Sequence, residues 1–256
     1  MTVLPQLHSG RNVLVTGGSG GLGAALVRAF AAHGARVVLT YLTEGKVADA
    51  LVEEVRAGGG AVWAVQANLA EREGLDAIEQ VVTGELGSLD VLIANAASGV
   101  FKPLSLVTRR DWSWVMEVNA MSIVLLVQRF VAALSTSGGN VLAMSSLGAA
   151  RAIPQYGLVG ASKAALEAVV RQLAAELGPA GVRVNALAPG LMETRVIGVM
   201  GVEDEFVSSA GRRTPLGRLV DPDEVAQVAA AVTSHLFAAV SGEVITVDGG
   251  FRAVAF

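Results

Sequence analysis

The 256-residue chain has no cysteine and is poor in charged and aromatic residues. Without cysteine, disulfide bonds and thiolate chemistry are excluded, and a reducing, cytoplasmic setting is expected. Charged residues make up only 16% and the formal net charge is −4, so nothing in the electrostatics indicates a nucleic-acid partner. The three histidines have no acidic or histidine partner at ligand spacing, so no metal site is predicted.

Long hydrophobic runs are also missing, although apolar residues make up 52% of the chain. The N-terminal stretch lacks the basic start and apolar core of a secretory signal, so none is predicted. The longest apolar segment, residues 120–127, is followed by Gln128 and Arg129 and is too short to span a bilayer. We therefore predict that this segment is a buried helix and that the protein does not associate with a membrane.

The chain does contain a regular alternation of short β-branched runs and longer segments of helical period. The predicted strands are residues 12–16, 36–40, 61–66, 91–95, 140–144, 182–187 and 243–247. The predicted helices are residues 21–33, 44–57, 71–86, 110–134, 156–177 and 222–236. This alternation predicts a single α/β domain over residues 1–256, with a doubly wound parallel sheet of Rossmann type, about seven strands and helices on both faces.

A glycine-rich loop follows the first predicted strand and opens the first helix. Gly17, Gly21 and Gly23 let the backbone turn tightly and approach a pyrophosphate, which then lies against free N–H groups of the helix. In this strand-loop-helix context the loop predicts a dinucleotide site rather than a plain flexible turn. Ser19 and Leu22 belong to the same predicted site.

The end of the second predicted strand bears on the choice of cofactor. Thr40 stands where NAD-specific proteins of such folds place an acid that binds the ribose 2′-hydroxyl. Because an acid would repel a 2′-phosphate, its absence favours NADP(H) over NAD(H). Lys46 is a candidate phosphate partner or simply a solvated charge. Asn68, followed by Leu69, is either an adenine contact or a cap of the next turn.

Tyr156 and Lys163 lie seven positions apart, downstream of Ser146. Seven helical positions come to about 700°, so the two side chains would share a helix face. Compared with a four-position spacing, the phenol is about 4.5 Å further from the ammonium along the axis. At that distance it is better suited to donating a hydrogen bond to a developing oxyanion than to losing its proton.

Polar and glycine-rich segments gather at the carboxyl ends of the predicted strands, where open α/β sheets bind ligands. With the glycine loop, segments 95–99, 144–148 and 188–190 resemble the short-chain dehydrogenase/reductase family over essentially the full chain. Most members carry Tyr-x-x-x-Lys, but Tyr156/Lys163 is similar to the pair of enoyl-acyl-carrier-protein reductases, and closest to their NADPH-using type III group. Segments 95–99, 145–148, 152–156, 162–168 and 242–251 share this likeness. Ser146 departs from it, because carbonyl-reducing members keep their catalytic serine there.

The resemblance implies a role for each residue of the site. Lys163 would bind the nicotinamide ribose, and Tyr156 would donate a hydrogen bond to the thioester oxygen. Ser146 would assist at the same oxygen or only shape the pocket, and Asn119 would organise water. The remaining cofactor contacts implied by the family are Asn95, Ala96, Pro189, Gly190 and Thr194.

The segment 190–215 is apolar and punctuated by glycine, which is typical of a lid that closes over an acyl chain. Arg195, Arg212 and Arg213 are candidates for contact with a phosphopantetheine phosphate or an acidic acyl carrier protein. The long apolar helices are expected to pack between subunits of a homotetramer, as is usual in the family.

The expected activity is hydride transfer from a nicotinamide cofactor to the β-carbon of an enoyl thioester, carried by acyl carrier protein or coenzyme A. Two alternatives stay open from the sequence. One is a carbonyl reductase that acts on a polyketide or another secondary metabolite through Ser146 and Tyr156. The other is a catalytically weak nucleotide-binding subunit, which the intact Tyr156/Lys163 pair disfavours.

Overall fold

The computed structural model describes residues 6–192 and 204–254. In this part of the chain, seven parallel strands form one sheet in the order β3-β2-β1-β4-β5-β6-β7. The strands are β1 (Asn12–Val15), β2 (Arg36–Tyr41), β3 (Ala61–Gln66), β4 (Val91–Ala94), β5 (Asn140–Met144), β6 (Arg183–Pro189) and β7 (Val244–Val247). The order reverses between β1 and β4, which is the switch point where doubly wound sheets bind nucleotides. The predicted fold class is confirmed.

Helices cover both faces of the sheet. They are α1 (Gly21–Ala32), α2 (Gly45–Ala57), α3 (Arg72–Val81), α4 (Arg109–Met116), α5 (Ser122–Ser137), α6 (Gly157–Leu177), α7 (Asp204–Arg213) and α8 (Pro222–Val232). Successive residues of β1 face opposite layers: Val13 and Val15 pack with α1, α2 and α8, whereas Leu14 packs with α3, α5 and α6. Because both faces are covered, the strands are mainly apolar and do not alternate regularly between apolar and polar residues.

Two of the predicted helices are interrupted by π-helical turns. The helix predicted over 71–86 is α3 followed by a π turn at Val82–Leu86, and the one predicted over 110–134 contains a π turn at Glu117–Met121. The second turn separates α4 from α5 and contains Asn119, which is buried. π turns often mark functional positions, because the extra residue redirects a side chain.

The stretch Arg109–Ser137 is long and apolar enough to cross a membrane by composition alone. One face of α5, however, contributes Ile123, Leu126 and Leu134 to the core that covers the sheet. We therefore interpret this stretch as a core helix, in agreement with the buried helix predicted at 120–127.

Candidate active site

A cleft of about 1320 Å³ lies along the carboxyl edge of the sheet. Most of the residues predicted for the site line it: Gly17, Ser19, Gly21, Leu22, Gly23, Thr40, Asn68, Leu69, Asn95, Ala96, Ser146, Tyr156, Lys163, Pro189 and Gly190. Asn119 is buried behind the lining. Thr194 and Arg195 lie outside the described residues. Of the lid predicted over 190–215, the described residues that line the cleft are Gly190, Leu191, Met192, Ala210, Arg213 and Thr214.

The glycine loop is held in place by the end of β4. The side-chain amide of Asn95 donates to the carbonyls of Thr16 and Gly17, at 3.0 Å each. A Cβ placed on Gly23 would lie only 2.0 Å from the carbonyl oxygen of Gly17, so no larger residue fits at this position. No side chain caps the N-terminus of α1. This preformed cradle of free N–H groups fits the pyrophosphate of a dinucleotide.

Thr40 and Asn68, at the adenosine end of the cleft, both use their side chains to support the backbone. The hydroxyl of buried Thr40 accepts a hydrogen bond of 3.0 Å from the backbone N–H of Gly17. The amide of Asn68 accepts from the backbone N–H of Ala70 at 3.1 Å, which is the capping arrangement foreseen as one of its two interpretations. Thr40 therefore stabilises the glycine loop, and its hydroxyl is already engaged there.

Sequence reasoning missed an acidic side chain in this region. Glu44 lines the cleft, and a Cβ placed on Gly20 would lie 3.7 Å from the Oε2 atom of Glu44. A carboxylate is thus present beside the glycine loop although none stands at the end of β2. Its position three residues after the strand end gave no signal in the sequence.

Tyr156 is the residue immediately before α6 and not, as predicted, the first residue of the helix. Its ring stacks on Phe101 with 6.0 Å between ring centroids, and a Cβ on Gly148 would lie 2.5 Å from its Cε1 atom. Gln155, which precedes it, has φ = 60°, a left-handed conformation that glycine favours. These contacts leave the ring little freedom to rotate.

The hydroxyl of Tyr156 donates to the Oγ atom of Ser146 at 3.2 Å. Burial raises the pKa of Tyr156 above its ordinary value of 10.0, and the hydrogen bond with Ser146 lowers it to a smaller extent. The phenol therefore stays protonated at neutral pH and is available as a hydrogen-bond donor. Its predicted donation to a developing oxyanion stays a prediction.

Lys163 is 4% exposed, and its Nζ atom donates to the carbonyl of Met144 at 2.7 Å. Burial lowers the pKa of Lys163 from 10.5 to about 8. Ser145, which follows Met144 in the chain, donates to Oε1 of Glu167 at 2.6 Å. Ser146 comes next and accepts from Tyr156. Three consecutive residues at the end of β5 therefore hold Lys163 and Glu167 of α6 and Tyr156 just before it.

Asn119 connects the loop after β4 to α6. Its Oδ1 atom accepts from the backbone N–H of Ser98 at 2.7 Å, and its Nδ2 atom donates to the carbonyl of Ser98 and to Oγ of Ser162, both at 2.9 Å. In this structure Asn119 thus positions the loop 95–99 that lines the cleft. Its predicted role in organising water stays a prediction.

Several aromatic residues of the site were missed by sequence reasoning. Phe101, Trp114 and Phe251 line the cleft together with both tyrosines of the chain, Tyr41 and Tyr156. The scarcity of aromatic residues, at 5% of the chain, was an available signal. Trp114 was not predicted as a site residue because it lies in a helical segment whose apolar period indicated only packing in the core. Of these rings, Phe101 stacks on Tyr156 and thus adds apolar surface beside the phenol.

The cleft combines a cradle for a dinucleotide with a protonated phenol and a buried lysine. This combination defines an NAD(P)-dependent oxidoreductase. Residues 17–252 match a family model described as enoyl-(acyl carrier protein) reductase. The chain belongs to the short-chain dehydrogenase/reductase family.

Similar proteins with different substrates cover nearly the whole chain. The 1-cyclohexenylcarbonyl-CoA reductase of Streptomyces collinus is 33% identical over 94% of this chain and 87% of its own length. A solved structure of 7α-hydroxysteroid dehydrogenase with NADH and 7-oxo glycochenodeoxycholic acid superposes with a TM-score of 0.91 at 29% identity, covering 96% of this chain and 95% of the other. A structure from Beutenbergia cavernae, assigned as an NAD(P)-dependent gluconate 5-dehydrogenase and holding NADP at low occupancy, superposes with a TM-score of 0.90 at 31% identity, over 98% of this chain and 100% of the other.

Proposed function

We propose that the protein is an NAD(P)H-dependent enoyl-thioester reductase. The observation that carries this proposal is the environment of Tyr156, whose hydroxyl is bonded to Ser146 while Lys163 is bonded to Met144. A phenol that keeps its proton suits the stabilisation of an enolate, which needs a hydrogen-bond donor at oxygen. The description of the matched family and the name of the Streptomyces relative support the same chemistry.

In this mechanism the thioester oxygen occupies the space in front of Tyr156 and Ser146. Bound reduced nicotinamide supplies the hydride that forms the new C–H bond at the β-carbon. As that bond forms, the electron pair of the double bond moves towards the oxygen, and the hydroxyl of Tyr156 stabilises the developing negative charge. Lys163 would hold the ribose, and the enolate takes up one proton from water at the α-carbon, which completes the reduction.

Carbonyl reduction is the second candidate, and one observation favours it. Ser146 and Tyr156 present two hydroxyls 3.2 Å apart, an arrangement that could hold a single carbonyl oxygen. That reaction, however, needs the phenol to transfer its proton to an alkoxide, which a nearby ammonium would assist. Because Lys163 donates to Met144 and burial raises the pKa of Tyr156, we rank this candidate second.

The two candidates are separated by measuring NAD(P)H oxidation with crotonyl-CoA and with acetoacetyl-CoA. We expect turnover of the crotonyl thioester, and turnover of only the acetoacetyl thioester would eliminate the first candidate. Tyr156→Phe should lower kcat about 100- to 1000-fold, since removing one oxyanion donor typically costs about 2.7–4 kcal/mol. Its cofactor Kd should stay within a factor of about two of the wild-type value. Unchanged turnover would contradict the role given to Tyr156.

We also propose NADPH as the physiological reductant, with a modest preference over NADH. The reason is that neither Thr40 nor Tyr41, at the end of β2, is acidic. Glu44 opposes this preference, because its carboxylate beside Gly20 would repel a 2′-phosphate. Equilibrium binding of NADPH and NADH to the same preparation decides the point. A lower Kd for NADH would refute this preference.

We further propose a homotetrameric assembly and, as one natural substrate, an acyl group on an acyl carrier protein. The assembly is supported by exposed apolar side chains along α4 and the following π turn, including Trp112 and Met121, which are 45% and 42% exposed. Analytical ultracentrifugation tests it, and a monomer at micromolar concentration would contradict it.

A further inference from the structure

Three arginines without a carboxylate partner line the cleft. They are Arg151, Arg213 and Arg252, and within residues 6–192 and 204–254 their guanidinium groups form no ion pair. Other arginines are held by carboxylates at 2.6–2.8 Å, for example Arg28 by Glu54 and Arg218 by Glu224. Cations left unpaired beside a cleft are available to a ligand.

These arginines lie on backbone segments that are themselves well fixed. Arg151 follows Ser146 by five residues, and its backbone N–H donates to the carbonyl of Leu147 at 3.1 Å. The backbone N–H of Arg252 donates to Oδ2 of Asp248 at 2.8 Å. The segment after Arg213 is joined to the same region, since the N–H of Leu216 donates to the carbonyl of Gly249.

The charge of the cleft lining runs against the charge of the whole protein. The chain carries a formal net charge of −4, yet the two acidic residues in the lining are Glu44, beside the glycine loop, and Asp248. Both oxygens of Asp248 accept hydrogen bonds from backbone N–H groups, those of Gly250 and Arg252. The three arginines therefore outnumber the carboxylates of the lining, and guanidinium groups bind phosphate strongly.

We propose that Arg151, Arg213 and Arg252 form a phosphate subsite that holds the phosphopantetheine arm of the thioester substrate. This inference rests on the proposed function, because only a thioester placed at Tyr156 has such an arm. Coenzyme A and acyl carrier protein share this arm and its phosphate. Anchoring the phosphate would raise the affinity for the carried acyl group without any contact to its chain.

The first test is direct binding to the enzyme saturated with oxidised cofactor. Isothermal titration with 4′-phosphopantetheine and with pantetheine should give a Kd at least about tenfold lower for the phosphorylated arm. Arg151→Gln, Arg213→Gln and Arg252→Gln should each reduce this ratio several-fold. Arg171→Gln, at an exposed arginine of α6 outside the cleft lining, is the matched control and should preserve it.

The second test compares kcat/KM for crotonyl-CoA, a crotonyl-carrier protein and crotonyl-pantetheine. The preference for phosphate-bearing substrates should fall in the three cleft variants through a higher KM, and it should weaken with salt. If kcat/KM of the variants falls more for the crotonyl-carrier protein, the phosphopantetheine arm belongs to acyl carrier protein. If it falls more for crotonyl-CoA, the arm belongs to coenzyme A.

Failure of the subsite is distinguishable from failure of the proposed function. Equal binding of 4′-phosphopantetheine and pantetheine overturns the subsite, even if crotonyl thioesters are reduced. Arginine-dependent binding of 4′-phosphopantetheine without turnover of any enoyl thioester supports the subsite and overturns enoyl reduction. A preference that persists in all three variants also overturns the assignment to these arginines.

Discussion

Replacing Lys163 by methionine should make the protein more stable and at the same time weaken cofactor binding. Lys163 is 4% exposed and its ammonium has one hydrogen-bond partner among the described residues, the carbonyl of Met144. Burial lowers its pKa from 10.5 to about 8. We expect a buried ammonium of this kind to serve the proposed contact with the cofactor and not the stability of the fold.

The size of the effect follows from the pKa. The lowered pKa means that the charged lysine destabilises the folded state by roughly 3 kcal/mol at pH 7, relative to a solvated ammonium. Methionine has a similar length and is apolar, but it leaves the carbonyl of Met144 without this donor, at about 1–2 kcal/mol. The net gain is therefore about 1–2 kcal/mol, which corresponds to a rise in Tm of about 2–8 °C for a chain of this length.

The dependence on pH is the decisive measurement. Because the folded pKa is lower than the unfolded one, the unfolded chain binds an extra proton between pH 8 and 10.5, and the stability of the wild type rises through that window. The advantage of Lys163→Met should therefore be full at pH 7, vanish between about pH 9 and 10, and turn into a small deficit by about pH 10.5, where the loss of the donor to Met144 is no longer offset. Differential scanning calorimetry from pH 7 to 10.5 tests this, with the same change at exposed Lys46 as the matched control. A Tm difference that stays constant over this range would refute the reasoning.

Three further predictions concern single positions. Gly148→Ala should lower kcat at least about tenfold with little loss of secondary structure by circular dichroism, because the new Cβ would displace the ring of Tyr156; wild-type kcat would show that the ring position is not critical. His8 is fully buried and burial lowers its pKa from 6.5 to about 4, so it should make the protein roughly 2 kcal/mol less stable at pH 5 than at pH 7.5. His8→Leu should flatten that fall in urea unfolding, and an unchanged pH profile would exclude His8 as its source. Glu44→Gln should lower the Kd for NADPH about 3- to 10-fold and leave that for NADH unchanged, since only the 2′-phosphate is repelled; equal changes for both would show that Glu44 does not act on that phosphate.

The strands of the sheet could be predicted from the sequence to within two residues at each end, because each is a short, mainly apolar run. The strands predicted at 61–66 and 140–144 have the same bounds in the structure. The π turn at Glu117–Met121 could not be predicted in this way. Its residues have ordinary helical character, and the turn is stabilised by long-range bonds, such as that from Asn119 to Ser162, which sequence periodicity does not contain.

For the site, the glycine loop and the strand ends that line the cleft were predictable, whereas the side chains contributed by loops and helices, and the hydrogen-bond partners, were not. The glycine loop and the ends of the strands meet at one edge in any sheet of this topology, so Gly17, Asn95 and Gly190 follow from the fold. Glu167 and Phe101 depend on where loops and side chains settle after folding. A half-buried glutamate one turn after Lys163 gives no sign in the sequence that it will accept a hydrogen bond from Ser145.

The end of β5 explains how Tyr156 and Lys163 can act together at a spacing of seven. The tyrosine precedes α6 and the lysine lies within it, so the helical face that they were predicted to share does not fix their relation. Instead Met144 holds the lysine and Ser146 holds the tyrosine, and these two anchors are separated by a single residue of extended backbone. This strand end thus fixes the positions proposed for ribose binding and for stabilisation of the oxyanion. Because both side chains are held there, the distance between phenol and ammonium is set by Met144 and Ser146 and not by the number of residues between Tyr156 and Lys163.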